Sequence, residues 1–247
     1  MPAVLDLVYV ALLVVAWPSY EYFIDWPTFQ TWLRDRPRQA RLYEYWRTIC
    51  LQWLLVVIGV AMWLETGRPW SALGLRAPHG WPLWVSSGAI LLLATYFARS
   101  AAALARSPEK RARMRERFKN AGALRIMPHT TREFGWFLAA SLTAGVCEEF
   151  LYRGYVILAL SPWLSWWGAA ALSALAFGLL HTYQGRKGVI GIALLGIIMT
   201  LVVAATRSLF PAIALHALTD AGNGLVFWIA LREEPLQGAA LEAPAQS

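Results

Sequence analysis

Three polar groupings interrupt otherwise apolar stretches of the chain: Glu148-Glu149 followed by Arg153, Phe177 followed by His181, and His216 followed by Asp220. Side chains four apart share a helical face, so Glu149 and Arg153 can pair as carboxylate and guanidinium. Glu148 points about 100° away around such a helix and is left as the free carboxylate. An unpaired carboxylate in a water-poor pocket can take a proton from water and later return it to a leaving amine, which makes Glu148 the candidate general base. His181 ends an apolar run, with Phe177 one turn earlier to pack against its ring, and His216 has Asp220 one turn later to orient it. An imidazole can activate water, donate to a developing oxyanion or bind a metal. Asn223 returns to the face of His216 and is a weaker supporting residue. The competing reading is structural: the glutamates pair with Arg153 to hold helices together, and each histidine is a satisfied interior residue. Two histidines and a carboxylate pair on three separate apolar segments weigh against it.

The elements that must position these groups are membrane spans. The 247 residues are 58% hydrophobic and 15% charged, with a mean hydropathy of +0.45, whereas soluble domains are about half apolar and about a quarter charged. Disorder is excluded by this composition, and a disulfide scaffold by having only Cys50 and Cys147, both in apolar runs. Fourteen Trp and nine Tyr suit the bilayer interface. Seven spans are expected, over 3–23, 48–64, 82–104, 133–160, 163–183, 188–205 and 209–231, because a crossing needs roughly 20 apolar residues in a helix. The first carries Asp6 and Pro18 and reads as an anchor rather than a cleaved leader.

With the N-terminus outside and the C-terminus cytoplasmic, 17 Lys and Arg fall inside, against Arg68, Arg76 and Arg207 outside. The net charge of +7 therefore reads as loop charge setting the topology of a multi-pass protein, with a bacterial plasma membrane expected and no nucleic-acid partner. Segment 107–119 opens with Ser107 and Pro108 and spaces Met114 and Phe118 four apart among cations, as expected of a basic interfacial helix. The expected fold is an all-α polytopic membrane helical bundle. Its parts are anchor helices and a basic cytoplasmic loop (1–132), a catalytic helical core (133–231) and a disordered tail (232–247). His79 and His129, each beside a proline, read as exposed polar residues.

Taken together, Glu148-Glu149-x-x-x-Arg153, Phe177-x-x-x-His181 and His216-x-x-x-Asp220 resemble the three-motif signature of the CPBP family of intramembrane proteases, also called the ABI or CAAX-processing family, over roughly 133–231. The resemblance implies peptide-bond hydrolysis within the membrane: Glu148 and His181 prepare the water, His216 and Asp220 stabilise the oxyanion, and Glu149 with Arg153 supports the site. The last motif often ends in Asn; an ionised Asp220 cannot donate to an oxyanion, so it is cast as an orienter of His216 or as a protonated acid. The family's metalloprotease label would make Glu148, His181 and His216 candidate zinc ligands with an open position for water. The sequence has no His-Glu-x-x-His motif, and the same residues can work by acid–base chemistry alone.

The implied substrate is a membrane-anchored or membrane-spanning protein or peptide cut near its end. Prenylated C-terminal tripeptides are the eukaryotic example, and bacterial maturation, self-immunity and sorting proteases belong to the same family. Serine and aspartyl intramembrane motifs are absent from the sequence. The non-enzymatic alternative is a proton path or a partner-helix site built from the same buried groups. One mismatch stands: counted along straight spans, His181 lies nearer the cytoplasmic edge than Glu148.

Overall fold

A computed structural model describes residues 4–119 and 122–232, and every regular element among them is a helix. In chain order these are α1 (Val4–Asp35), α2 (Pro37–Glu65), α3 (Trp81–Ala105), the short α4 (Pro108–Phe118), α5 (Thr131–Leu180), α6 (Gly185–Thr206) and α7 (Phe210–Leu231). All but α4 fall within the six helices long and apolar enough to cross a membrane. The expectation of disorder in the tail concerns residues outside the described ones from 233 onward.

Six continuous helices and seven expected crossings agree once α5 is followed residue by residue. Its 50 residues would reach about 75 Å if straight, more than twice the hydrocarbon thickness. The chain breaks instead at Ser165 (φ 58°, ψ 167°), three residues after Pro162. It folds back on itself: the Ser173 hydroxyl donates to the Tyr152 carbonyl at 2.8 Å, and the Phe177 ring meets that of Tyr152 at 5.4 Å. The two limbs of α5 are the fourth and fifth expected spans.

The first limb is the centre of the molecule. From Glu149 to Val156 it winds as a π-helix in which every residue is buried, a widened turn that frequently marks functional sites. Here α1 packs through Tyr9 on Tyr155 and through the Leu13 carbonyl, which accepts from the Tyr152 hydroxyl at 3.0 Å. Asp6, only 2% exposed, is an expensive charge for an anchor helix. It is compensated by Arg68, which grips both carboxylate oxygens at 3.0 and 3.1 Å, and by the hydroxyl of Tyr155.

Two features fix the neighbours of this limb. At its start Glu133 closes a capping box with Thr130 and binds the buried Arg41 of α2 at 3.1 Å, tying α2 to the base of α5. Higher up, α7 comes very close: a Cβ on Gly145 would lie 2.7 Å from that of Ala217. Only glycine permits this approach, which brings the helix carrying His216 against the one carrying Glu149.

The basic helix forms as expected, with Ser107 capping it through the Lys110 amide at 3.2 Å, but it uses its apolar residues on the protein. Met114 packs on the cluster around Leu104 and Ile229, and Phe118 meets Phe227 at 5.3 Å. Arg115 donates to the Ala230 carbonyl at 2.8 Å and Arg111 to the Leu104 carbonyl at 3.0 Å. The last carbonyls of α3 and α7 lack partners within their own helices, and these guanidiniums supply them.

Candidate active site

The three motifs converge. Glu148 and Glu149 lie at the start of the π-turn of α5, His181 caps its second limb, and His216 and Asp220 come from α7. Glu148, Phe177, His181, His216 and Asp220 line one cavity of about 190 Å3. The depth mismatch shrinks to about one helical turn in the hairpin register. Pairing of Ser173 with Tyr152 sets Phe177 about level with Glu148, and His181 about one turn lower, beside Ala144 of the cavity wall. Helix α5 starts 13 residues before Ala144, so it extends about 20 Å past His181 on that side.

Behind the cavity stands a buried charge relay. Arg153 pairs with Glu149 at 3.1 Å, and the same Glu149 oxygen lies 2.8 Å from His216 Nδ1. An ionised carboxylate only accepts, so this contact assigns the proton to Nδ1 and turns Nε2 toward the cavity. The Arg153 guanidinium lies over the Phe177 ring at 4.2 Å. Gly196 of α6 leaves room for it, since a Cβ there would stand 3.0 Å from Arg153 Nη2. Phe177 also meets His181 at 4.9 Å and His216 edge-on at 5.9 Å, so a single ring sets the spacing of both histidines. His181 is fixed further by its Nδ1, 2.8 Å from the Phe177 carbonyl; a carbonyl accepts, which leaves Nε2 as the acceptor nitrogen.

Two sequence expectations change. His216 is held at both nitrogens: Glu149 lies 2.8 Å from Nδ1, and the Asp220 carboxylate lies 3.5 Å from Nε2, on the cavity side of the ring. One turn along a helix brings the Asp220 side chain to that nitrogen, while the close approach of α5 and α7 gives the other nitrogen to Glu149. Glu148 is not free of partners either. Its Oε1 accepts from Gln52 Nε2 of α2 at 2.7 Å, while its Oε2 makes no hydrogen bond and stands 3.8 Å from His216 Nε2. Asn223 is not brought in; it is exposed and absent from the cavity wall.

Gln52 carries no charge and belongs to none of the three motifs, so motif spacing does not point to it. The available signal was an amide in the middle of an apolar segment. Gln52 is 2% exposed and lines the cavity, and its own Oε1 has no partner. Also missed was the outer part of the cavity, where Arg47 Nη2 contacts Glu21, Asp25 and Glu44 at 3.3, 2.6 and 2.8 Å. The anchor helices therefore supply cavity wall as well as attachment. Cys147 is a buried free thiol absent from that wall.

The donors do not fit zinc at the expected place. Among the described residues, the group of three or more His, Cys, Asp and Glu whose ligand atoms lie within 4.8 Å of one another is Glu21, Asp25 and Glu44, and not one that includes Glu148, His181 and His216. The Arg47 guanidinium already serves the former as its cation. What the inner cavity offers is a carboxylate oxygen without a hydrogen bond and two imidazoles on one wall, a set suited to moving protons.

Comparison with known proteins agrees with the motif resemblance. Residues 130–222 match the family model described as Rce1-like, type II CAAX prenyl endopeptidase Rce1-like. The matched stretch runs from the cap of α5 into α7 and contains all three motifs; Gln52 and the Arg47 cluster lie outside it. No curated protein and no solved structure matches the chain. The likeness covers 93 of the 247 residues, and six helices among the described residues are long and apolar enough to cross a membrane.

Proposed function

We propose that the chain hydrolyses a peptide bond of a membrane-associated substrate with water activated by Glu148 and His181, without a metal. The observation that carries this reading is the Glu148 Oε2 atom, buried, unpartnered and 3.8 Å from His216 Nε2. Water held between Glu148 Oε2 and His181 Nε2 gives a proton to the carboxylate as its oxygen attacks the scissile carbonyl carbon. Charge developing on the carbonyl oxygen is met by His216, whose imidazolium form donates through Nε2 while Nδ1–H stays on Glu149. As the C–N bond breaks, protonated Glu148 returns its proton to the departing amine, leaving an acid, an amine and the original carboxylate.

Asp220 stands near His216 Nε2 and balances the imidazolium. Gln52 holds Glu148 Oε1, so that Oε2 is the oxygen presented to water. Its unpartnered carbonyl oxygen accepts from a substrate amide.

The substrate class is a lipid-anchored or membrane-spanning protein or peptide cut near its end, of CAAX type or of a bacterial maturation or sorting type. Arg47, Ile126 and Tyr183 line the part of the cavity contributed by segments at the Lys/Arg-rich end of the bundle. The positive-inside rule makes that end cytoplasmic, with the N-terminus outside. The test is cleavage of a prenylated CAAX peptide by purified protein. Glu148→Gln and His181→Ala are each expected to lower kcat by about 10²- to 10⁴-fold, and full activity in both would remove the assignment. A zinc chelator is expected to leave the rate unchanged; inactivation reversed by zinc would return the metal.

A further inference from the structure

At the other end of the bundle, a second recess of about 370 Å3 lies between the turn Trp70–Leu73, the folded tip of α5 and the end of α6. Its wall is cationic: Arg76, Arg153 and Arg207 contribute to it, and no carboxylate does among the described residues. Arg153 is matched by Glu149, so the uncompensated charges are those of Arg76 and Arg207. Arg76 uses its Nε on the Arg207 carbonyl at 2.7 Å. Among the described residues neither its terminal nitrogens nor the Arg207 side chain has a hydrogen bond or ion pair.

The two like charges are held together by the backbone. Arg207 sits in the left-handed region at φ 52°, a costly conformation for a residue with a Cβ. The Ser208 hydroxyl donates to the Arg76 carbonyl at 2.6 Å. The 66–80 and 207–209 loops are thus laced to each other with both guanidinium groups on one recess. Both loops join spanning helices, so the recess lies at headgroup depth, and Trp166 and Trp167 complete its wall with side chains suited to that depth.

We infer that this recess binds a phosphate group, gripped by the forked donors of Arg76 and Arg207. The phosphate can come from the headgroup of an anionic lipid or from a free ion. The inference is independent of the protease reading, since it uses no residue of the hydrolytic cavity as a ligand.

The test is titration of the purified full chain in detergent with short-chain phosphatidylglycerol, short-chain phosphatidylcholine and inorganic phosphate, read as binding affinity and as thermal stabilisation. Phosphatidylglycerol is expected to bind roughly 10- to 30-fold more weakly to the Arg76→Gln/Arg207→Gln protein, at about 1 kcal/mol per interfacial cation. Phosphatidylcholine should show little such difference. An arginine-dependent response to inorganic phosphate that phosphatidylglycerol does not exceed supports the site with a free ion as its ligand. Equal phosphatidylglycerol and phosphate affinities in wild type and variant overturn the inference. Should the double variant fail to fold, Ala72→Glu puts a carboxylate on an exposed position of the same wall; an undiminished response in that protein also overturns it.

Discussion

The cavity and the recess differ in the sign of their charge although a single buried ion pair stands near both. Among the described residues, Glu21, Asp25, Glu44, Glu148 and Asp220 line the cavity against one guanidinium, Arg47, whereas three arginines and no carboxylate line the recess. Carboxylates move protons and guanidiniums do not, so the cavity has the side chains for chemistry and the recess those for holding an anion. The Glu149–Arg153 pair separates these roles. Its acid turns toward His216, while Arg153 contributes to the opposite wall. A buried ion pair is weak evidence for stability; this one serves as the boundary between two differently charged environments.

Glu148→Gln should break the comparison most strongly. It is expected to remove about 10²- to 10⁴-fold of peptidase activity while leaving phosphatidylglycerol affinity at the recess unchanged; loss of both would mean that the two regions are not separable. Next, Gln52→Leu removes a hydrogen bond to a carboxylate worth about 1.5–3 kcal/mol, so kcat should fall roughly 10- to 100-fold. KM measured on the same peptide should move less, and an unchanged kcat would reduce Gln52 to a packing residue.

Gly145→Val should act on the frame that both regions share. It forces apart the helices bearing Glu149 and His216 and should cost about 1–3 kcal/mol in thermal unfolding. Gly135→Ala, where an added Cβ meets nothing within 4 Å, is the control in which no loss is expected and helix propensity favours a small gain. The last effect, confined to acid pH, belongs to His129, outside both regions. Burial, reinforced by nearby Arg41, lowers its pKa from the ordinary 6.5 to about 4. The unfolded chain therefore binds the proton first, and stability should decline as pH falls from about 6.5 toward about 4, then level off. His129→Gln should flatten that part of the stability profile.

How much of this was legible follows from what each signal depends on. Helical spans, the Glu149–Arg153 pair and the stacking of Phe177 with His181 depend on local spacing, and all three are seen. The partners of Glu148 and His216 depend on which helices touch. Gln52 lies 96 residues from Glu148 and Glu149 lies 67 from His216, and no periodicity links either pair. Asp220 was assigned to His216 because one turn separates them, yet the close approach at Gly145 handed Nδ1 to another helix. His129 was read as exposed from its proline neighbour, but its backbone amide is held by Glu133 at 2.7 Å. The recess has no sequence signal, because Arg76 and Arg207 lie 131 residues apart and each reads as an ordinary loop charge.

The pairing of Glu149 with Arg153 inside one limb bears on how the protein is made. When α5 leaves the ribosome and meets lipid, this acid carries its own counter-charge four residues away, so neither ion enters hydrocarbon alone. His216 is synthesised later, and only its arrival draws Glu149 into a second bond. Until then Glu149 and Arg153 form a neutral pair within the hairpin, and the cavity lacks the wall that α7 supplies through His216 and Asp220.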